Sequence, residues 1–222
     1  MSEAALQLGD FNNEDLRDVA DRLLETTKVE YVDEGVLLIM NPPGIEHRKI
    51  VRSIMKAAQQ AFDAGLIAVG WETYETFQWE FADGTRRYFI PDIVFVHPDA
   101  ATVEEERAAI ALVVEVTSPT SRDAVYNDRT VKPAQYATGG VPLYLLVDQE
   151  GAAWTLHGLA EGWQRYQIVA EGAYGKDIVL PEPVGFAIPT AIPTALAPLI
   201  PLASRTTHTN EMKPGVHLAL AR

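Results

Sequence analysis

Two acids and a lysine interrupt or follow stretches of this chain that otherwise read as buried. Asp92 opens the run Ile93-Val94-Phe95-Val96. Glu115 sits inside Ala111-Leu112-Val113-Val114-Glu115-Val116-Thr117, and Lys132 follows in the next segment. A carboxylate desolvated in a strand without a partner is costly, so each acid needs a counter-charge or a cation. Two hard-oxygen side chains on neighbouring strands suit Mg2+ or Mn2+, with the Val116 backbone carbonyl as a further ligand. A divalent ion so held activates water and neutralises charge on a phosphate in flight, the two needs of phosphodiester hydrolysis. A nearby ammonium, that of Lys132, would orient the attacking water and stabilise the transition state.

The elements that must position these groups are legible around them. Thr76 to Phe81 alternates, with Phe77, Trp79 and Phe81 on one face, and Asp83-Gly84 is a hairpin signal. The return strand runs from Arg86 to Ile90. Pro91-Asp92 then lets Ile93 to Val96 continue as a buried strand, so the hairpin feeds a central strand. Ala111 to Thr117 is a second buried strand and Val141 to Val147 a third. Between these two lies a helix ending at Gly139-Gly140, where glycine is the expected terminator. A start near Thr130 keeps Pro133 in the first turn, whereas a start at Asp128 would lose a hydrogen bond there.

Ile45 to Phe62 is the clearest helix, with Ile50, Val51, Ile54, Met55, Ala58 and Phe62 as its buried stripe. Arg48, Lys49, Arg52 and Lys56 share its outer side, as a phosphate-facing patch or a solvated basic face. His47 leans inward and Glu46 lies at the stripe's edge, so either can reach a site under the first turn. Upstream, Glu14 to Thr27 has helical spacing, and Val29 to Met40 reads as one or two strands turning at Asp33-Glu34-Gly35. Downstream, Ala153 to His157 and Trp163 to Ala170 form a hairpin around Glu161-Gly162.

The 222 residues suit one domain with a tail, placed at 10–202 and 203–222. Without cysteine there are neither disulfides nor thiolate metal sites. No apolar run approaches a membrane span, and the acidic N-terminus lacks a signal peptide's basic region, so the expectation is a cytoplasmic protein. A net charge of −13 opposes casual nucleic-acid binding, but residues 1–34 hold ten acids against three bases, more than half of that excess.

In order, Pro91-Asp92, Val114-Glu115-Val116 with Ser118-Pro119, Asp128-Arg129 with Lys132-Pro133 and Tyr136, and Gly140-Val141-Pro142 with Tyr144 resemble the Uma2 family of the PD-(D/E)XK nuclease superfamily. The resemblance implies an α/β fold with a restriction-endonuclease-like core, a mixed central sheet flanked by helices, and an added N-terminal helix and β-hairpins. It implies a magnesium-dependent endonuclease that cuts DNA as a homodimer. By position, Asp92 and Glu115 correspond to the two metal-binding acids. Thr117 stands where the superfamily's usual lysine would be, and the resemblance implies that Lys132 replaces it. Asp128 matches the family's acid four residues earlier, Glu46 the first-helix acid, and Tyr136 and Tyr144 packing or hydrogen-bonding positions. Ser118 and His47 join the supporting set, and Arg48, Arg52, Arg122 and Arg129 are candidate phosphate contacts. Two other classes fit the residues: a nuclease fold retained only for binding, and a hydrolase of a smaller phosphate ester. In the first, Glu115–Lys132 would be a structural ion pair and Asp128–Lys132 a surface one.

Overall fold

Strands covered on both faces read as unbroken apolar runs, and the three such runs in this sequence lie side by side at the centre of the molecule. A computed structural model describes residues 4–7, 28–33, 36–40, 43–67, 71–81, 87–97, 109–118, 125–182 and 184–188. The helix expected at Glu14 to Thr27, the Asp83-Gly84 turn, Arg122 and the tail at 203–222 lie outside the described residues.

In chain order the first strands are β1 (Ala4–Gln7), β2 (Lys28–Asp33) and β3 (Val36–Met40), followed by helix α1 (Ile45–Asp63). Next come β4 (Glu72–Tyr74), β5 (Trp79–Glu80), β6 (Tyr88–Phe89), β7 (Ile93–Val96) and β8 (Ile110–Thr117). A π-helical turn (Asn127–Val131) leads into α2 (Lys132–Thr138). The chain then forms β9 (Leu143–Asp148), β10 (Ala153–Leu159), β11 (Tyr166–Ala173), β12 (Ile178–Val179) and β13 (Ala187–Ile188). One sheet has six strands in the order β11-β10-β9-β8-β7-β4, and a second has five in the order β1-β3-β2-β6-β5. In the six-stranded sheet β8 and β9 run parallel, joined across α2, and the other pairs are antiparallel, so the central sheet is mixed.

The two faces of this sheet have different covers. Ile93, Phe95, Leu112, Val114 and Leu145 pack against Ile50, Ile54 and Ala58 of α1. Val94, Val113, Tyr144 and Leu146 pack with Tyr136 of α2 and with Trp79 and Phe89 of the β5–β6 pair. Trp79 meets Tyr136 edge to face, with ring centroids 4.9 Å apart. Each such apolar side chain buried contributes about 1.5–3 kcal/mol before entropy is counted. No helix among the described residues is long and apolar enough to cross a membrane.

Three expectations are modified. The β5–β6 pair belongs to the five-stranded sheet, so the chain changes sheets between Phe89, opposite Trp79, and Ile93, opposite Val114. Pro91 lies at the change, where its missing amide costs no ladder bond. The strand expected from Thr76 starts only at Trp79, because Thr76 takes a left-handed φ of 60° that interrupts extension; Glu72–Tyr74 pairs instead.

The helix expected from Thr130 is already turning at residues 125–126, upstream of the start that Pro133 favours. The π-helical turn reconciles this with the proline. The Lys132 amide donates to Asn127 O, five residues back. The Asp128 carbonyl then has Pro133 as its five-residue partner, which carries no N–H. The Tyr144 hydroxyl fills the gap, donating to Asp128 O at 2.6 Å.

Candidate active site

Side chains two apart on a strand point the same way. Lys28 and Glu30 of β2 are so spaced, and both reach the point where the two sheets meet. Glu30 is fully buried, and its Oε1 accepts the Ile90 amide at 2.9 Å, tying β2 to the link that carries Asp92. Asp92 in turn is tied to β8: its Oδ2 accepts the Val116 amide at 2.8 Å. Its Oδ1 faces Lys28 Nζ at 3.3 Å and His47 Nε2 at 3.2 Å.

Glu115 lies one residue from that amide, on the face covered by α2. Its Oε1 accepts from the Tyr136 hydroxyl at 3.0 Å and meets Lys132 Nζ at 3.0 Å. Lys132 also contacts Asp128 Oδ1 at 2.9 Å and Glu30 Oε1 at 3.1 Å. The expected Asp128–Lys132 pair thus forms, one helical turn apart, but it is buried rather than at the surface.

Electrostatics follow from this sharing. Burial raises the Glu115 carboxyl well above the usual range, the Asp128 and Asp92 charges add to that, and Lys132 only partly offsets it. Asp128 is raised for the same first reason. The one ammonium that Glu115 and Asp128 share does not offset the burial of both. Lys132 itself is raised well above the usual lysine value: burial opposes its charge, but Asp128, Glu115 and Glu30 outweigh it. Asp92 behaves oppositely. Burial would raise it, but Lys28 and the hydrogen bond and charge of His47 hold it well below the usual carboxylate range.

The residues fit a divalent cation by charge and by donor type. Four carboxylates (Glu30, Asp92, Glu115 and Asp128) share two ammonium groups (Lys28 and Lys132), with the His47 ring beside Asp92, so the acids outnumber the fixed cations by two. Glu30 Oε2 and His47 Nδ1 are buried without hydrogen-bond partners among the described residues. Asp92 and Glu115 offer hard oxygens. Among the described residues no three His, Asp or Glu side chains converge as a metal-ligand group.

The remaining candidates lie around this cluster. Glu46 pairs with Lys49 at 2.9 Å, and Arg48 Nε donates to the Pro43 carbonyl at 3.1 Å. Arg52 is exposed, and Ser118 is half-buried just after β8. Arg129 binds Asp148 at 2.6 Å and Glu150 at 3.6 Å, beside the turn after β9. Thr117 is fully buried, and its hydroxyl donates to Asp148 Oδ1 at 3.1 Å while accepting the Gln149 amide at 3.2 Å.

Sequence reasoning passed over Lys28 and Glu30. The only local signal was a base and an acid two residues apart in Lys28-Val29-Glu30-Tyr31, a pattern shared by any strand with a solvated face.

A solved structure titled as a putative nuclease belonging to DUF820, from Anabaena variabilis ATCC 29413, superposes with a TM-score of 0.51 at 15% identity, covering 73% of this chain and 88% of that one. At that identity the likeness concerns the fold, a mixed α/β, restriction-endonuclease-like one. No match is found among curated proteins. A family model described as "Putative restriction endonuclease" matches residues 14–191, a span that holds every side chain meeting at Lys132, and by that match the chain belongs to the Uma2 family.

Proposed function

We propose that this protein is a metal-dependent endonuclease that hydrolyses DNA phosphodiester bonds at the cluster around Asp92 and Glu115. The observation that carries the reading is the buried imbalance of four carboxylates against two ammonium groups where two sheets meet. Two ammonium groups are too few to hold four buried carboxylates ionised, and a divalent cation would supply the missing counter-charge. Asp92 and Glu115, with the Val116 carbonyl, would hold Mg2+ or Mn2+, which when bound supplies Lewis acidity and an activated water. Lys132 positions the acids: it draws Glu30, Glu115 and Asp128 to one point. Tyr136 fixes the Glu115 rotamer, and His47 and Lys28 fix Asp92. Arg48, Arg52, Arg122 and Arg129 are proposed contacts for flanking phosphates. On this reading the enzyme works on DNA in the cytoplasm as a homodimer, one site for each strand.

The test is a Mg2+ and Mn2+ titration by calorimetry on the wild type, Asp92→Asn and Glu115→Gln, with plasmid nicking on the same samples. Binding in the wild type alone, with nicking lost in both variants, is the expected result. Binding without nicking of plasmid or oligonucleotide would remove DNA as the substrate and leave a smaller phosphate ester. Absence of binding in the folded wild type would overturn the metal site and leave a nuclease fold used only for binding.

A further inference from the structure

The two lysines of the site are not equivalent. The Lys132 side chain is 3% exposed and its Nζ is enclosed by Asp128, Glu115 and Glu30 at 2.9–3.1 Å. On its remaining side it lies over the Phe89 ring, 5.7 Å from the centroid. To reach a phosphate outside, that ammonium would have to leave three buried carboxylates at once, and breaking a buried ion pair costs several kcal/mol. The Lys28 side chain is 24% exposed, and among the described residues its Nζ makes one ion pair, with Asp92 Oδ1 at 3.3 Å. A single, longer contact at the open edge of the cluster is weaker than a buried three-way one, and a lysine stem swings its charge through several ångströms at low cost.

We propose that Lys28, on β2, is the catalytic lysine that meets the substrate phosphate, while Lys132 acts only as a positioning residue. The proposal rests on the nuclease reading above and deepens it. It also accounts for Thr117 at the strand position where a lysine would otherwise stand. Thr117 is bound to Asp148 and Gln149, and the open cation comes from the neighbouring sheet, aimed at the first acid rather than following the second. Lys28 sits on Asp92 Oδ1, the oxygen not held by the Val116 amide, so a cation held by Asp92 would compete with the Lys28 ammonium there, and a substrate phosphate would give the ammonium an alternative partner.

The competition makes the test decisive. In Lys28→Met, which keeps the apolar stem, Mn2+ affinity read by calorimetry should be unchanged or tighter, because a positive charge has been removed from beside a ligand. Single-turnover nicking under saturating Mn2+ should fall about 100-fold or more, as when one transition-state donor is removed. Lys28→Arg should restore part of the rate. Far-ultraviolet circular dichroism of both variants checks the fold. Parallel loss of Mn2+ affinity and nicking in Lys28→Met, without rescue by Lys28→Arg, would show that Lys28 only holds Asp92 and would overturn the proposal. So would undiminished nicking. A wild type that binds Mn2+ but cuts no DNA would defeat the nuclease reading first and this proposal with it, an outcome the wild-type control separates from the other two.

Discussion

Val116 donates its amide hydrogen to Asp92 Oδ2, fixing the acid before β7 against the residue that follows Glu115. A backbone donor cannot rotate away as a side chain can, so the spacing between the two acids is set by the β7–β8 ladder. Ile93 opposite Val114 leaves Asp92 level with the end of that pairing, beside Glu115 and Val116. The site is therefore as rigid as the sheet, while its charges are held in an unfavourable state that a cation would relieve.

That tension predicts opposite effects of Glu115→Gln on stability and on metal binding. Burial raises the Glu115 carboxyl well above its usual range, so the metal-free fold favours the neutral form. Glutamine supplies a neutral group of the same shape, and Lys132 keeps Asp128 and Glu30 as partners. The metal-free variant should be more stable than the wild type by roughly 1 kcal/mol, about 2–4 °C in Tm for a domain of this size. Added Mn2+ should raise the Tm of the wild type and leave that of the variant unmoved. A lower Tm for the metal-free variant would mean that Glu115 is a stabilising ion-pair partner rather than a strained ligand.

Much of this arrangement was legible in the sequence because burial leaves a local pattern. Ile93 to Val96 and Ala111 to Thr117 are apolar on both faces, so Asp92 and Glu115 stood out as acids in the wrong company. The stripe of α1, with His47 turned inward, follows from a period that any amphipathic helix shows. Lys28 and Glu30 did not stand out, because their strand alternates polar and apolar residues as an exposed one does. Only the meeting of the two sheets buries that side of β2. The sheet assignment of β5 and β6 was hidden for the same reason: a hairpin specifies its own pairing and not the sheet it joins.

The closure of the π-helical turn gives a second prediction. Tyr144 is fully buried and its hydroxyl is the partner of Asp128 O, the carbonyl that Pro133 leaves without a helical donor. Tyr144→Phe keeps the ring and leaves that carbonyl unsatisfied, which should cost about 1–3 kcal/mol. Because the turn carries both Asp128 and Lys132, amide exchange there should speed up more than in β10. Uniform acceleration across the domain would place the loss in global stability instead.

Gly139 supplies a third. Its φ of −76° suits any residue, so its role is not conformational. A Cβ there would lie 2.3 Å from Trp79 Cζ2, and Trp79 packs against Phe81, Phe89 and Tyr136. Gly139→Ala should therefore destabilise by about 1–3 kcal/mol through overpacking, with an altered near-ultraviolet tryptophan signal. Gly140, at φ 80° with open space at its Cβ, should lose stability on substitution by alanine through backbone strain alone, leaving that signal unchanged. A change in the tryptophan signal for Gly140→Ala but not for Gly139→Ala would contradict the assignment.

His157 gives a prediction in pH. Its ring lies 5.7 Å from that of Tyr144 and 6.2 Å from that of Tyr166, and Nδ1 is buried without a hydrogen-bond partner among the described residues. Burial pulls its pKa below the ordinary value of 6.5, a hydrogen bond to the Tyr144 backbone opposing this only partly. The unfolded chain therefore binds the proton more tightly than the folded one. The folded state is unpenalised above 6.5 and loses stability as pH falls below that value toward the lowered pKa. His157→Gln should remove this slope, so the wild type should lose more Tm than the variant between about pH 7 and about pH 5. Asp92 does not interfere, since its stabilising charge is lost only below its ordinary value of 3.8. Glu115 and Asp128, raised in the fold, stabilise on acidification, and that effect is common to both proteins and cancels in the difference. Parallel Tm profiles for wild type and variant across this window would show that His157 meets the acid without cost to the fold.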